Sequence, residues 1–351
     1  MEAQRFEQRL LENLERDRQN RPCMQAADWV KFVFQGMLGV GHNIRSLEDA
    51  EKRLREEIKA VQPDAAEALV EPLSPAWFRV NLRRAKAEGI PAEWIACMMV
   101  LSDGTPEWTR DDVFRVCRQI AEEDDNCDRQ LLDRILDPDW LPGHSEAYHA
   151  VCRPAYRVLS SAWKLPLQAL CSIAHGYHPG VLITLDGPCA SGKTSLAAQL
   201  ARILDADIVH TDDFVVPHAQ KTPERLAVPG GNCDWERLVR EVLAPWKAGQ
   251  GTEIRVYDCH RDCFRATGSL LPGRTLILEG SYANLPAIRR LADTCLFLNV
   301  PFAERWRRLE ARESPDALKG FRERWIPLEN AYFQAYNLPD AVCTVLAENE
   351  E

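Results

Sequence analysis

An eight-residue segment near the middle of the chain constrains its fold more than any other feature. The segment, GPCASGKT from Gly187 to Thr194, has the spacing G-x-x-x-x-G-K-T. It follows the short β-branched apolar run VLITLD at 181–186 and precedes a helical pattern at 195–204. Small residues let such a loop curl so that its backbone N–H groups point at phosphate oxygens, next to the positive end of the following helix. The sequence therefore predicts a phosphate-binding loop between a buried strand and a helix.

Each position of this loop has an expected role in binding a nucleoside triphosphate. Lys193 supplies a cation to the β- and γ-phosphates, and the Thr194 hydroxyl binds the Mg²⁺ that bridges the same phosphates. The other residues expected to contact the nucleotide are Gly187, Cys189, Ala190, Ser191, Gly192 and Ser195. The pattern predicts ATP and Mg²⁺ as cofactors, but GTPases, ATPase motors and small-molecule kinases all share it.

Apolar runs alternate with helical patterns in the second half of the chain. Further strand candidates lie at 207–210, 253–257, 274–280, 294–300 and 341–346. Several of them are apolar on both faces, which is typical of a parallel sheet covered by helices on both sides. Residues 180–351 are therefore predicted to form an α/β P-loop NTPase domain, with a parallel sheet and flanking helices.

The first half of the chain has helical periodicity instead. Apolar residues such as Phe6, Leu10 and Leu14 recur at helical spacing, with Pro, Gly and Asp or Asn breaks between segments. This predicts an all-α accessory domain over residues 1–174, with HGYHPG at 175–180 as the linker. Two domains also agree with the length of 351 residues, which exceeds what one hydrophobic core usually serves.

The charge and apolar patterns argue against several classes of protein. With 43 basic and 53 acidic residues the net charge is −10. Neither half has the excess of positive charge that is typical of a nucleic-acid-binding surface. The longest strongly apolar run, at 94–101, is far shorter than the roughly 20 residues of a membrane span. The charged N-terminus does not resemble a secretory signal, and none of the 12 cysteines forms a C-x-x-C pair. We expect a cytoplasmic protein with reduced thiols that contacts neither membrane nor nucleic acid. The composition is compatible with a homo-oligomer.

Acidic residues end two of the predicted strands. Asp212 and Asp213 follow the second strand in HTDDF, at a carboxyl end where open α/β sheets place ligands. We assign Asp212 as the base that accepts the proton of an attacking hydroxyl and as part of the metal shell. Glu279 ends the run LILE as a Walker B acid does, and is predicted to hold the Mg²⁺ shell. The alternatives are a helix cap for the aspartates and a solvent-facing position for the glutamate.

Four arginines lie in the helical segment from Phe302 to Arg312. Arginines near a triphosphate stabilise the charge that spreads over the transferring phosphoryl group. We therefore predict catalytic roles for Arg308 and Arg312, with an exposed arginine face of the helix as the competing interpretation.

In this order, these motifs resemble the uridine kinase and phosphoribulokinase group of P-loop kinases, over roughly residues 181–346. The resemblance implies that Asp212 is the catalytic aspartate, that Asp213 lies beside it in the substrate site, and that 305–312 form a lid. The acceptor pocket that it implies contains Asp234, Tyr257, Asp258 and His260. The sequence departs from the family at Val215, where an aromatic residue is usual, and at His260, which follows the Tyr-Asp pair too closely.

These features predict an ATP-dependent kinase that phosphorylates a hydroxyl of a small metabolite. The carboxylates of Asp234 and Asp258 suit a neutral polyhydroxylated acceptor, a nucleoside or a sugar-like alcohol, because they bind hydroxyls and repel an acceptor that is already phosphorylated. A second hypothesis is an ATP-binding regulatory switch whose helical half binds a protein partner. A third is an independent enzyme in the helical half.

Two N-terminal clusters bear on that third hypothesis. They are QGMLGVGHN at 35–43, which contains His42, and a segment at 143–157 with His144, Glu146 and His149. The histidines and the glutamate can form a metal site or a second active site if the fold brings them together. The alternative is that the glycines end a helix and the histidines cap or pack against helices.

Overall fold

The computed structural model describes residues 2–39, 46–102, 107–122, 129–259 and 261–346. The chain divides into two compact units, Met1–Lys164 and Leu165–Glu351. The two units differ in architecture, since the first is built mainly from helices and the second around a parallel sheet.

The N-terminal unit is rich in helices, as its periodicity predicts. The helices are α1 Glu2–Asn20, α2 Ala26–Leu38, α3 Leu47–Ala60, α4 Leu82–Ala87, α5 Ala92–Leu101, α6 Arg110–Ala121, α7 Arg129–Asp133 and α8 Glu146–Cys152. Side-chain caps fix where some of them begin: Ser46 accepts from the Asp49 N–H at the start of α3, and Thr109 accepts from the Asp112 N–H at the start of α6. Leu10 of α1 is among the residues that form the core between these helices.

A small antiparallel sheet in this unit corrects the prediction that residues 1–174 are all-helical. Its strands are β1 Val70–Pro72, β2 Trp77–Asn81 and β3 Tyr156–Ser160, in the order β1-β2-β3. The strands have only three to five residues, too few for alternation to stand out against helical periodicity. β3 also pairs with a strand that lies far away in sequence, so local patterning does not reveal the pairing.

The C-terminal unit contains the remaining strands. They are β4 Leu182–Asp186, β5 Ala206–His210, β6 Thr252–Asp258, β7 Cys263–Leu270, β8 Thr275–Glu279, β9 Thr294–Asn299 and β10 Cys343–Leu346. Five of them form a parallel sheet in the order β10-β9-β4-β8-β5. β4 and β8 are buried at every position, which explains their continuous apolar sequences. The prediction of a parallel sheet with flanking helices is confirmed.

The helices of this unit cover the sheet or connect its strands. They are α9 Lys164–Ala174, α10 Lys193–Leu204, α11 Pro223–Ala227, α12 Trp235–Leu238, α13 Ala244–Lys247, α14 Pro286–Arg289, α15 Phe302–Arg312, α16 Pro315–Gly320 and α17 Ile326–Ala335. Sheet residues such as Leu276 and Phe297 share a core with Trp246 and Tyr332 from the helical layer. Within the described ranges, no helix of either unit combines the length and the apolar character that crossing a bilayer requires.

The strand predicted at 253–257 lies outside the parallel sheet. It is part of β6, which pairs only with β7 in a separate antiparallel hairpin that has a register shift at Ile254 and Arg255. β7 is exposed at every residue except Leu270. A strand that is buried on neither face has a polar sequence without an apolar run, and for this reason the sequence analysis missed β7.

The order of the strands reverses at the central strand β4, and such a reversal favours ligand binding. From β4 the chain forms β5 and β8 on one side of the sheet, and then β9 and β10 on the other. Ligands in open α/β sheets bind at such a switch point, outside the carboxyl ends of the strands. The loop after β4 therefore lies at the expected position of a ligand site.

One buried amide joins the centre of the sheet to the loop after β8. Asn284 is fully buried, and its Oδ1 accepts from the Thr184 hydroxyl of β4 at 2.6 Å. Its Nδ2 donates to the Leu296 carbonyl of β9 at 2.9 Å, and its backbone N–H donates to Asp186 Oδ2 at 2.8 Å. A single side chain thus bridges two neighbouring strands.

We predict that Asn284→Ala lowers the free energy of unfolding by about 2–4 kcal/mol, because it leaves a buried hydroxyl and a buried carbonyl without partners. Urea denaturation measures the loss. Asn299→Ala, at an exposed position of the same sheet, is the control and should cost less than about 0.5 kcal/mol. Equal losses in both variants would contradict the bridging role.

Candidate active site

The loop from Gly187 to Thr194 winds through backbone conformations that only certain residues allow. Gly187 has a φ of 148°, and a Cβ there would lie 2.5 Å from the Leu298 carbonyl oxygen. Ala190 and Gly192, with φ of 58° and 96°, continue the turn in the left-handed region. α10 then begins at Lys193, so the loop surrounds the N-terminus of a 12-residue helix whose dipole favours an anion.

Two polar side chains of the loop fit a polyphosphate. Lys193 Nζ donates to the carbonyl oxygens of Gly187 and Pro188 at 2.9 and 3.0 Å, which holds the ammonium group inside the loop. Ser191 Oγ is buried and has no hydrogen-bond partner among the described residues. A buried hydroxyl without a partner costs free energy, and a phosphate oxygen in the loop would supply the missing contact. The residues present therefore fit the triphosphate of a nucleotide.

Glu279 faces the loop rather than solvent. It is 4% exposed, and its Oε1 accepts from the Thr194 hydroxyl at 3.0 Å. His210, opposite Glu279 in the register of β5 and β8, places its Nδ1 2.5 Å from the same oxygen. This contact raises the pKa of His210, so the imidazolium form is favoured next to the carboxylate.

Three predicted metal-binding residues lie around this point. The Thr194 hydroxyl and the Glu279 carboxylate are in contact, and the charges of Glu279 and Lys193 both act on Asp212. Nowhere in the described ranges do three or more His, Cys, Asp or Glu side chains form a metal-binding group. Mg²⁺ needs no such group, since it is commonly held by one or two carboxylates, waters and substrate phosphates. The oxygen donors of Thr194, Glu279 and Asp212 fit that ion.

Asp212 and Asp213 lie in a 3-10 turn, Thr211–Phe214, directly after β5. Asp212 is exposed to solvent, but protein atoms surround part of its carboxyl group. This partial burial raises the pKa of Asp212, and the positive charge of Lys193 opposes the increase. Burial also raises the pKa of Asp213. A carboxylate with a raised pKa next to a phosphate loop is a better proton acceptor than an ordinary exposed aspartate.

Asp234 accepts two hydrogen bonds from one neighbouring residue, Arg237, which the sequence analysis did not foresee. It caps α12, where its Oδ1 accepts from the Arg237 N–H at 3.2 Å and its Oδ2 from Arg237 Nε at 3.1 Å. Arg237 also donates to the Arg255 carbonyl at 2.6 Å and to the Asp213 carbonyl at 3.3 Å. Asp234 therefore lies close to the Asp212–Asp213 turn, but its charge is already paired.

The other predicted acceptor residues lie at the end of β6. The Tyr257 hydroxyl donates to Asp262 and accepts from the His218 N–H at 3.0 Å. Asp258 Oδ1 accepts from the Arg261 N–H at 3.2 Å, as in a tight turn. His260 lies outside the described residues. Tyr257 and Asp258 thus have local structural partners, and their role toward an acceptor stays a prediction.

The structure separates the two arginines that the sequence analysis selected. Arg308 Nη1 donates to the Ala190 and Ser191 carbonyls of the loop at 3.3 and 3.1 Å. Arg312 instead donates to Glu313 at 2.7 Å, with a side chain that is 63% exposed. Arg312 follows Arg308 by four residues on the same helix, about one turn further from the loop.

Two further residues contact the loop: Arg305, which the sequence analysis placed in the lid without a separate role, and Glu329, which it missed. Arg305, 7% exposed, donates from Nη1 to the Cys189 carbonyl at 3.3 Å. Glu329 of α17 accepts from the Cys189 N–H at 3.0 Å and from the Ser281 hydroxyl at 2.5 Å. Nothing in the sequence around Glu329 distinguishes it from a surface glutamate.

Asp186 was also missed, although the sequence contained a signal for it. It is fully buried and accepts from the Gly187 N–H and the Tyr332 hydroxyl, both at 2.6 Å. Burial raises the pKa of Asp186 to about 6, against the opposing effect of these donors. A carboxylate that ends a fully apolar run directly before the loop is the pattern that could have identified it.

The N-terminal histidine cluster does not assemble as a metal site in the described residues. His144 is buried, whereas Glu146 and His149 are exposed. His42 lies outside the described residues. The interpretation of His144 as a packed histidine is therefore the one that agrees with the structure.

The parallel sheet, the phosphate loop after its central strand and the flanking helices give the C-terminal unit a P-loop NTPase fold. Comparison with solved structures finds similarity to a possible uridine kinase from Bacillus stearothermophilus, with 20% identity over 52% of this chain and 97% of that chain and a TM-score of 0.41. A candidate fructose transport system kinase from Silicibacter sp. TM1040 has 22% identity over 53% and 98% of the two chains and a TM-score of 0.40. Deoxyadenosine kinase from M. mycoides, with bound dATP, has 13% identity over 48% and 91% and a TM-score of 0.23. No family model and no curated protein matches the chain.

Gly280 provides a test of the role that we predict for the turn at Asp212. Its φ is 130°, and a Cβ there would lie 2.1 Å from Thr211 Oγ1, at the start of the turn that carries Asp212. We predict that Gly280→Ala displaces this turn and lowers phosphoryl transfer by about 10²-fold while ATP binding remains, because catalysis depends on near-ångström positioning. Steady-state kinetics and nucleotide titration measure the two effects.

Gly249→Ala is the matched control for this substitution. Gly249 also has a positive φ, of 78°, but nothing lies within 4 Å of an added Cβ. This variant also places an alanine at a positive φ, but without the clash, and should keep nearly full turnover. If the two variants are equally impaired, strain rather than the position of Asp212 accounts for the loss.

Proposed function

We propose that the chain is an ATP-dependent kinase that transfers the γ-phosphate to a hydroxyl of a small metabolite, a nucleoside or a sugar-like alcohol. The observation that carries this proposal is the position of Asp212, an accessible carboxylate beside Lys193 and the phosphate loop. A nucleotide switch needs the loop but no second carboxylate aimed at an acceptor. Residues 180–351 act as the kinase domain in this proposal, and residues 1–174 as an accessory domain.

The loop residues hold the nucleotide in this mechanism. The backbone around Ala190, the N-terminus of α10 and the Ser191 hydroxyl bind the phosphates, and Lys193 neutralises part of their charge. Mg²⁺ at Thr194 and Glu279, when bound, supplies further positive charge to the β- and γ-phosphates. Because these groups are fixed before the nucleotide arrives, they stabilise charge without a large reorganisation.

Proton transfer from the acceptor is the task of Asp212. Its carboxylate takes the proton as the acceptor oxygen attacks the γ-phosphorus in line and the bond to the bridging oxygen breaks. The raised pKa makes Asp212 a stronger base than a free aspartate, and Arg308 at the loop helps to absorb the charge that develops.

The acceptor site in this proposal is formed by the turn at Asp213, the cap at Asp234 and the end of β6. Carboxylates that already accept from N–H groups retain free lone pairs for hydroxyl donors. A neutral polyhydroxylated acceptor suits these residues, whereas a phosphorylated one is repelled.

We predict that Lys193→Ala abolishes turnover, and that Asp212→Asn lowers it by about 10² to 10⁴-fold while ATP still binds. Incubation of a pooled metabolite extract with enzyme, ATP and Mg²⁺ identifies the acceptor as a compound that gains one phosphate by mass spectrometry, and the kinetics of both variants are then measured with it. Nearly unchanged turnover in Asp212→Asn would remove the base assignment. Slow ATP hydrolysis that no acceptor stimulates would favour the regulatory switch.

The two lid arginines offer a comparison within one helix. We predict that Arg308→Ala lowers turnover by about 10- to 100-fold, because its guanidinium lies against the loop. Arg312→Ala removes the same charge from an exposed position and should change turnover by less than about twofold. Equal effects on kcat in the two variants would show that net charge, rather than contact with the loop, is what matters.

A further inference from the structure

Two cysteine side chains of the N-terminal unit are in contact, although they lie 129 positions apart in sequence. The Sγ atoms of Cys23 and Cys152 are 3.4 Å apart, and both thiols are free. A disulfide bond has a length of about 2.05 Å, so the two sulfur atoms need to approach by only about 1.4 Å to form one. The fold therefore places together two thiols that need little movement to become a disulfide.

Hydrogen bonds fix the turn that carries Cys23 between α1 and α2. The Arg21 N–H donates to the Asp17 carbonyl at 2.9 Å, and the Met24 N–H donates to the Arg21 carbonyl at 3.0 Å. Asp17 is buried, and its side chain forms an ion pair with Arg79 of β2 at 3.1 Å. The turn that contains Cys23 is therefore attached both to α1 and to the small sheet.

Cys152 is the last residue of α8, and the chain after it is also fixed. The next residue, Arg153, has a left-handed backbone with a φ of 43°, and its N–H donates to the His149 carbonyl at 3.2 Å. The Arg153 carbonyl accepts from the Arg83 guanidinium. Four residues after Cys152 the chain enters β3. Cys152 therefore lies between a helix and a strand that restrict its position.

A buried carboxylate joins these two segments close to the thiols. Asp28, in the first turn of α2, is fully buried and accepts from the Ser145 N–H and hydroxyl at 2.9 and 2.6 Å, at the start of α8. Its Oδ2 also accepts from the Gln25 N–H at 2.9 Å, two residues after Cys23. Because α2 and α8 are joined in this way, the two thiols have a high effective concentration toward each other.

Reagents in solution can reach this pair of thiols. Each of the two residues is partly exposed, and Cys152 also lines a pocket of about 250 Å³. Burial and the neighbouring Cys23 thiol raise the pKa of Cys152 to about 11, so Cys152 stays protonated near neutral pH. The sulfur that starts a thiol–disulfide exchange must be a thiolate, and this role therefore falls to Cys23.

We propose that Cys23 and Cys152 are a redox-sensitive pair that a small disulfide oxidises to an intramolecular disulfide bond. The Cys23 thiolate attacks one sulfur of the small disulfide, whose S–S bond breaks and releases a first small thiolate. That thiolate takes the proton of Cys152, whose sulfur attacks Cys23 in the mixed disulfide and releases a second small thiolate. The second thiolate takes up the proton that Cys23 had lost to solvent. The two protein thiols thus lose two electrons, and the small disulfide is reduced to two thiols.

The free thiols expected from the sequence are the reduced state of this pair, and oxidation changes the stability of the unit. The disulfide joins residues that lie 129 positions apart. A cross-link that closes such a long loop stabilises a fold mainly by restricting the unfolded chain. We expect oxidation to raise the thermal midpoint of the N-terminal unit by about 5–15 °C. The proposal depends only on residues of this unit, so it does not require the kinase assignment.

The test incubates the native full chain with glutathione disulfide and then blocks the remaining free thiols by alkylation. Digestion and mass spectrometry should find a pair of peptides linked through Cys23 and Cys152, and dithiothreitol should remove the link. If the two residues stay free or carry only glutathione, or if the link forms only in denatured protein, the proposal is overturned. Calorimetry of the linked protein should show the higher midpoint, and an unchanged midpoint would contradict the effect on stability.

Cys152→Ser tests the order of the two steps. This variant keeps the attacking thiol but lacks the second one, so glutathione disulfide should convert Cys23 to a stable mixed disulfide that carries one glutathione. Cys263→Ser, at an exposed position of β7, removes a thiol elsewhere and should form the link between Cys23 and Cys152 as the parent does. A Cys152→Ser protein in which Cys23 stays unmodified would contradict the assignment of Cys23 as the attacking thiol.

Discussion

Three buried carboxylates surround the phosphate loop, and the C-terminal unit depends on how each of them is satisfied. Asp186 accepts from the first residue of the loop, Glu329 from its third, and Glu279 from the Thr194 hydroxyl in the first turn of the following helix. Each carboxylate comes from a different element, so these hydrogen bonds fix the loop to β4, to α17 and to β8. The loop is therefore ordered by the protein itself, and a nucleotide need not supply the free energy to organise it.

The same carboxylates place negative charge next to a loop that we propose binds a triphosphate, so nearby cations must compensate it. The compensating cations lie on the loop or against it: Lys193 within the loop, Arg305 and Arg308 on its backbone carbonyls, and His210 on Glu279. The acidic side chains thus accept hydrogen bonds from the loop, whereas the basic ones donate to its backbone carbonyls or to Glu279. This arrangement accounts for the mixed composition of the site, which a search for basic residues alone would miss.

The features of this fold that the sequence predicted are those with a local cause. The apolar runs of β4 and β8 and the glycine spacing of the loop follow from burial on both faces and from backbone conformation, and both can be recognised within ten residues of sequence. Glu279 was selected because it ends such a run, and Arg308 because it lies in the arginine-rich segment 302–312, which resembles a lid. Glu329 has no local signal, since it reaches the loop through tertiary packing of a helix 140 positions away.

The N-terminal unit shows the opposite balance between local and long-range causes. Its helices follow from periodicity, but the sheet joins β2 to β3 across most of the unit, and the polar face of that sheet arises only when the three strands meet. Arg79 looks like an exposed residue in sequence and is among the most buried residues of the chain. The Asp17 carboxylate and the rings of Phe32 and Tyr156 compensate this buried charge, and these partners come from three different elements.

The Arg237 side chain joins the exposed hairpin to the turn that contains Asp212 and Asp213. A single planar guanidinium donates to the backbone of β6 and to the backbone of Asp213, and its Nε is held by the helix cap at Asp234. Because one planar guanidinium makes all of these contacts, a displacement of β6 would also move the Asp213 backbone and the cap of α12.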